Sequence, residues 1–391
     1  MAPLAGVRVI EFCNVAAGPF CGSLLADMGA DVIKVEHPVG GDTLRAWPPI
    51  TDGFSENFAS VNRNKRSVAL DLKDSAHLAK ARELVMTADV VLESNRPGVM
   101  KRLGLDYEAF RKDKPALVYC SISAFGQEGP RSREGGFDLT MQAMSGTMSV
   151  TGEPDGPPVK CGVPLSDFGT GLYAAFAIAA LLNRVKAGGE GGHVDASMLG
   201  CSLGMAALQT SEYFGNGRDP VKLGSAHPRA APYQAFRAND GYFAMACGND
   251  KLFGSACEVI GCTALTNDPR FASNALRAKN QVALRDALEV EFRKHSCADW
   301  LARLAAANVP CAPINTYSQA LADPQVKHME WVQEITLPGG TRTRTFASPI
   351  RISGQGLPIT RNPPALGEHT AEMLAELERA EPRVTQPARQ D

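Results

Sequence analysis

Short apolar runs alternate with mixed, helix-compatible stretches through the first part of the chain. Val7–Glu11 (VRVIE) has the length and texture of a buried strand. Gly18-Pro19 then opens a helical stretch to Met28, with proline in the first turn, where its missing N–H leaves no bond unmade. Gly29-Ala30 closes that stretch, and Val32–Glu36 (VIKVE) is the next strand. This is a βαβ pattern. It continues as strand Ser67–Leu72, helix Ser75–Met86, and strands Asp89–Glu93 and Leu117–Ser121. Short strands spaced by helices predict a Rossmann-like open parallel sheet with both faces covered, an α/β architecture. Ligands of such sheets sit beyond the carboxyl ends of the strands. Four loops qualify: Phe12–Ala17, His37–Arg45, Ser94–Arg102 and Ile122–Pro130.

Further along, Leu172–Arg184 reads as a strong helix, and the glycine-dense Gly188–Gly192 precedes a strand over His193–Ala196. A helical stretch, Met198–Tyr213, leads into a polar link, Gly215–Pro232. The texture then changes. Tyr233–Arg237 and Tyr242–Ala246 flank Ala238-Asn239-Asp240-Gly241, a hairpin signal. Helical segments follow at Asp250–Ile260, Asn280–Ser296 and Cys297–Asn308. The expected organisation is a large α/β domain over 1–200, a linker helix and loop over 201–221, and a smaller α+β domain over 222–330. Residues 331–380 are expected to return to the large domain. The polar, Pro-bearing tail 381–391 is expected to be disordered.

Composition adds exclusions. Of 391 residues, 44% are hydrophobic and 21% charged, the balance of a soluble globular protein. A net charge of -2 gives no electrostatic argument for nucleic acid or an anionic membrane, so an anionic ligand needs local cations. The apolar run Ala174–Leu182 is too short to span a bilayer. No G-x-G-x-x-G follows the first strand and no G-x-x-x-x-G-K-[ST] occurs, which removes the usual support for nicotinamide or nucleoside triphosphates. The ten cysteines form no CxxC pair or zinc-spaced cluster. They read as free thiols of a reducing cytoplasm. Met1–Gly6 has no basic stretch leading into an apolar one, so no signal peptide is read there.

Several segments, in order, resemble the class III CoA-transferases, the formyl-CoA transferase and CaiB/BaiF family. They are residues 4–38, Val61–Lys73 (VNRNKRSVALDLK), Glu93–Leu105 (ESNRPGVMKRLGL), Tyr119–Pro130 (YCSISAFGQEGP) and Gly162–Leu172 (GVPLSDFGTGL). The resemblance runs from about residue 4 to residue 375. It implies a homodimer of interlocked chains, with CoA or acyl-CoA entering as substrate and no cofactor permanently bound. It implies no metal.

In the family, an aspartate of the segment matched here by Pro164–Gly171 attacks the acyl-CoA thioester; that residue is Asp167. Its place before a helical run favours an ionised carboxylate and offers free backbone N–H groups to an oxyanion. The flanking glycines, Gly169 among them, leave room for a ligand near the backbone. By residue type alone, Ser166-Asp167 before a helix reads as a routine cap. The resemblance further implies contacts to CoA from Val15, Ala16, Ala17 and His37, from Leu70, Asp71, Leu72 and Lys73, from Ser94, Asn95 and Arg96, and from Arg102 and Phe137. Lys73 and Arg102 are the expected phosphate cations, an arginine suiting bidentate contact.

Three departures narrow the reaction. Ala16 replaces a family glutamine, and Ala246–Asp250 lacks the tetraglycine run of formyl-CoA transferases, which weighs against oxalate and formate. Asp138 stands where the family has glutamate, a supporting acid in shortened form. The related α-methylacyl-CoA racemases use a Gly-His-Asp segment, which here is Gly136-Phe137-Asp138. Phenylalanine moves no proton, so the racemase base is missing. Gly224–Arg229 and Pro232–Phe236 resemble members that handle C4 to C6 dicarboxylic acids, with His227 or Arg229 available for a distal carboxylate. The expected activity is CoA transfer from succinyl-CoA or a similar donor to a carboxylic acid. An acyl-CoA epimerase and a non-catalytic CoA-binding protein are the alternatives.

Overall fold

The computed structural model describes residues 2–379. The expectation for the tail 381–391 lies outside the described residues. Contacts divide the chain into two compact units. The first holds the residues up to Thr147, Cys161–Ser211 and those from Pro324; the second holds Met148–Lys160 and Glu212–Asp323.

The first unit is built on strands β1 (Arg8–Phe12), β2 (Asp31–Glu36), β3 (Lys65–Ala69), β4 (Val90–Glu93), β5 (Val118–Ser123) and β6 (Gly192–Ser197). They form one parallel sheet in the order β3-β2-β1-β4-β5-β6. This is the doubly wound order, whose switch point lies between β1 and β4. Helix α1 (Ala17–Asp27) follows β1, α2 (Ser75–Thr87) precedes β4, and α3 (Asp138–Met144) and α4 (Leu165–Lys186) come between β5 and β6. One face of the sheet packs Val9, Val118 and Cys120 against Cys21 and Leu25 of α1 and Ala174, Ile178 and Leu182 of α4. The other packs Ile10, Ile33 and Val91 against Leu84 and Val85 of α2. Strands buried on both faces are near-continuously apolar, which is why their pattern is readable. Helix α4 is long and apolar enough to cross a membrane by length and composition, yet its inner stripe belongs to this core.

Charges inside these strands are paired. Glu11, Lys34 and Lys65 are fully buried. Lys34 Nζ lies 3.0 Å from Glu11 Oε1, and Lys65 Nζ lies 2.8 Å from Glu11 Oε2. Lys65 also donates to the Pro19 carbonyl and Asn62 Oδ1. Burial alone would lower Lys34, but the Glu11, Asp42 and Glu36 carboxylates outweigh it and keep the ammonium protonated.

Three elements differ from expectation. The strand placed at Ser67–Leu72 is β3, Lys65–Ala69, so Leu70–Lys73 forms the loop beyond it. The stretch Met198–Tyr213 is two helices, Met198–Met205 and Ala207–Asn216, broken at Ala206. Helix α4 begins at Leu165, not Leu172. Glycine is a poor helix former, yet Gly169 and Gly171 both lie within α4, in close contact with their neighbours. A Cβ on Gly169 would lie 2.3 Å from Met205 Cε, and one on Gly171 would lie 2.8 Å from the Ala17 carbonyl. Gly171 thus admits the start of α1, and Gly169 admits the Met205 side chain. Because a backbone oxygen cannot yield as a side chain can, Gly171→Ala is expected to destabilise by about 1–3 kcal/mol through overpacking. An unchanged urea midpoint would refute this.

The second unit holds β7 (Tyr233–Arg237), β8 (Tyr242–Ala246), α5 (Asp250–Ile260), α6 (Gln281–Phe292), α7 (Cys297–Ala306) and β9 (Cys311–Pro313). Its antiparallel sheet, β9-β8-β7, places Phe236 and Phe243 against Phe292 and Trp300. The segment 148–160, read as part of the 1–200 domain, belongs here instead. Gly224 N–H donates to the Gly152 carbonyl, and Lys222 Nζ to those of Gly156 and Pro157. The last described helix, α8 (Thr370–Arg379), lies in the first unit, where Met373 is fully buried and Glu372 and Glu376 pair with Arg66.

Candidate active site

The switch point of the sheet opens into a cavity of about 270 Å³. The loop after β1 lines it with Asn14, Val15 and Ala16, followed by Ala17 and Gly18 at the start of α1. The loop after β4 adds Ser94, Asn95 and Arg96. Glu134, Gly136 and Phe137, before α3, and Asp167, in the first turn of α4, are also part of the wall. Two loops that are far apart in sequence meet here because β1 and β4 are neighbours, and Asn14 N–H donates to Ser94 Oγ at 3.2 Å.

Asp167 is partly buried, and its carboxylate accepts no hydrogen bond from a described residue. The cap of α4 comes from elsewhere. Pro164 occupies the cap position with no side-chain bond, and Asp138 Oδ1 accepts from Ser166 N–H at 2.9 Å. Asp138 Oδ2 takes Gln142 Nε2 at 2.7 Å. The capping role that Ser166-Asp167 suggested thus falls to Asp138, which leaves Asp167 open to the cavity. Burial, and next the Asp138 charge, push Asp167 up to about 7. The expectation that the helix terminus favours the ionised form is therefore outweighed by desolvation and a like charge.

This shift carries a stability consequence. A carboxyl raised in the fold stabilises fully below its ordinary value near pH 4, and that contribution is lost as pH rises through about 7. A rise of that size corresponds to about 4 kcal/mol. With solvent screening of the partly exposed carboxylate halving that, Asp167→Asn is expected to be more stable than the parent by about 2 kcal/mol at pH 8, with the gain vanishing at pH 4. Thermal unfolding at both pH values checks it; an equal effect at both would contradict it.

The other expected contacts divide into two groups. His37, Leu70, Asp71, Leu72 and Lys73 follow β2 and β3, further along the same edge of the sheet. His37 Nε2 lies 3.8 Å from Asp71 Oδ1, and Asp71 Oδ1 also accepts from Lys73 N–H. Leu70 is buried and Lys73 exposed. Arg102, exposed, ends the short helix Val99–Leu103 after the Ser94–Arg96 loop. His227 and Arg229 belong to the second unit, where His227 stacks on Tyr233 and Arg229 pairs with Glu212 at 2.7 Å.

Two supporting residues escaped the sequence reading. Glu93, buried at the end of β4, accepts from Asn95 N–H at 2.7 Å and so shapes the second cavity loop. Burial raises it to about 7. Asp42, fully buried, accepts from Val15 N–H at 2.9 Å and shapes the first. A glutamate closing an otherwise apolar strand (VVLE) was a readable signal for Glu93. Nothing local marked Asp42.

The fold and site define a doubly wound α/β protein with a free carboxylate at the switch point. The chain belongs to CoA-transferase family III, whose family model matches residues 4–370. It is thus a CoA-transferase, acting on CoA thioesters and carboxylic acids. It is 42% identical over 390 residues to the succinate–glutarate CoA-transferase of Agrobacterium fabrum, covering 98% of each chain. It is 38% identical to the acetyl-CoA:oxalate CoA-transferase of Acetobacter aceti, covering 96% of this chain and 95% of that one. Among solved structures it is similar to a CaiB/BaiF family protein from Brucella suis, with 41% identity, a TM-score of 0.84 and coverage of 96% of this chain and 99% of the other.

Proposed function

We propose that this chain transfers CoA between succinyl-CoA, or another dicarboxylyl-CoA, and a dicarboxylic acid of the glutarate type, through covalent intermediates on Asp167. The observation that carries this reading is the Asp167 carboxylate, which accepts no hydrogen bond from a described residue, in the first turn of α4 and lining the switch-point cavity. Asp167 attacks the donor thioester carbonyl, expelling CoA thiolate and forming a mixed anhydride. The thiolate attacks the aspartyl carbonyl, which releases the donor acid and leaves an aspartyl-CoA thioester. The acceptor carboxylate attacks that thioester, the thiolate leaves, and its return to the acyl carbonyl frees Asp167. Every exchange joins acyl groups of similar energy. Ala17 and Gly18, in the first turn of α1, present amides with no intrahelical acceptor to the same cavity, suited to an oxyanion or phosphate. Lys73, Arg96 and Arg102 are the cations for the CoA phosphates. Phe137 forms the rim and is 76% exposed, offering no transferable proton, so an epimerase is disfavoured.

The dicarboxylate assignment rests on the likeness to the Agrobacterium enzyme. A mass-spectrometric screen of acids against succinyl-CoA is expected to yield glutaryl-CoA or another C4–C6 diacyl-CoA. Products from monocarboxylates alone would sink it. A homodimer belongs to the same proposal: Leu172, Tyr173 and Phe176 of α4 are 54%, 43% and 75% exposed, an apolar face suited to a second copy. Sedimentation equilibrium at the monomer mass would exclude it.

A further inference from the structure

We infer that the buried Lys34–Asp42 pair is a positioning device that holds Val15 in a left-handed backbone conformation and thereby sets the shape of the first CoA loop. The inference rests on the CoA reading of the cavity and adds to it a pair of residues that do not touch the ligand. Val15 has φ of +65°. A β-branched residue is strained there and stays only when its surroundings over-determine it. Here they do. Asp42 Oδ1 accepts from Val15 N–H at 2.9 Å and from Leu44 N–H at 2.9 Å. Asp42 Oδ2 lies 2.9 Å from Lys34 Nζ. The same ammonium donates to the Cys13 carbonyl at 2.7 Å. One ion pair therefore grips the loop on both sides of Asn14, at the Cys13 carbonyl and at the Val15 amide. Both side chains are fully buried, and Glu11 anchors Lys34 from the adjacent strand at 3.0 Å. Above this grip, Asn14, Val15 and Ala16 form the cavity wall. Released, Val15 would return to the ordinary backbone region and carry the wall with it.

Hydrogen exchange and CoA affinity test this together. Asp42→Ala is expected to speed exchange over Cys13–Gly18 and at Leu44 by about tenfold, with the core strands unchanged, and to weaken CoA binding by about tenfold, the effect of leaving the Val15 and Leu44 amides without their acceptor. Asp42→Asn keeps an acceptor oxygen and should show a smaller rise in both. Val15→Gly placed on Asp42→Ala should recover at least half of the lost affinity on a logarithmic scale, because glycine adopts this conformation without strain. A merely structural role would raise exchange throughout the unit and give no such recovery. Unchanged local exchange in Asp42→Ala, or a loss that Val15→Gly does not relieve, overturns the inference. If Asp42→Ala is insoluble, Asp42→Asn decides: faster exchange confined to Cys13–Gly18 and Leu44 supports it, and unchanged exchange over Cys13–Gly18 refutes it. Parent protein that binds no CoA would instead sink the CoA reading of the cavity, while the exchange result still decides whether Asp42 sets the loop.

Discussion

Asp167→Ala is expected to lower CoA exchange by about three to four orders of magnitude while CoA still binds, the pattern of a lost nucleophile rather than a lost binding contact. Asp138 already caps α4 through Ser166 N–H, so removing the Asp167 side chain leaves the helix start intact. The first cavity loop is held by Asp42 and the second by Glu93, neither of which depends on Asp167. The variant should therefore bind CoA within a few-fold of the parent by calorimetry. In the parent, kcat/KM should rise with pH through about 7, because only the ionised carboxylate attacks and burial and Asp138 hold it protonated below that. Retained turnover in Asp167→Ala would refute the nucleophile.

The second large effect is on stability. Glu11→Ala is expected to cost about 3–5 kcal/mol, the penalty for leaving buried charge without its partner. Glu11 is shared by Lys34 and Lys65, and both ammoniums are fully buried. Lys34 keeps Asp42, but Lys65 is left with neutral acceptors, the Pro19 carbonyl and Asn62. Urea unfolding measures the loss. A cost below about 1 kcal/mol would show that the three side chains act as separate, well-solvated groups.

The sheet was legible because parallel strands covered on both faces carry continuous apolar runs, and five of its six strands lie within about two residues of where the pattern put them. The hairpin Tyr233–Arg237 and Tyr242–Ala246 was legible from Ala238–Gly241, whose turn chemistry is local. What stayed hidden depends on contacts between distant residues. Glu11 and Lys34 stood as charges in apolar runs and Lys65 in a polar stretch, but only the β1-β2-β3 adjacency brings them together. Glycine disfavours helix by propensity, and Gly171 is tolerated in α4 because the Ala17 carbonyl lies too near for a Cβ. The segment 148–160 carries no boundary signal of its own; its place depends on Gly224 and Lys222. The site was legible through Asp167 and the loops Val15–Ala17 and Ser94–Arg96, which the structure brings into one cavity. The residues that hold those loops, Asp42 and Glu93, were not.

The proposed chemistry is tested most directly by covalent capture. Incubating the protein with succinyl-CoA, quenching with hydroxylamine and mapping peptides by mass spectrometry should place a hydroxamate on Asp167, since both the anhydride and the aspartyl-CoA thioester react with that nucleophile. Unmodified Asp167 in protein that is turning over acyl-CoA would contradict it.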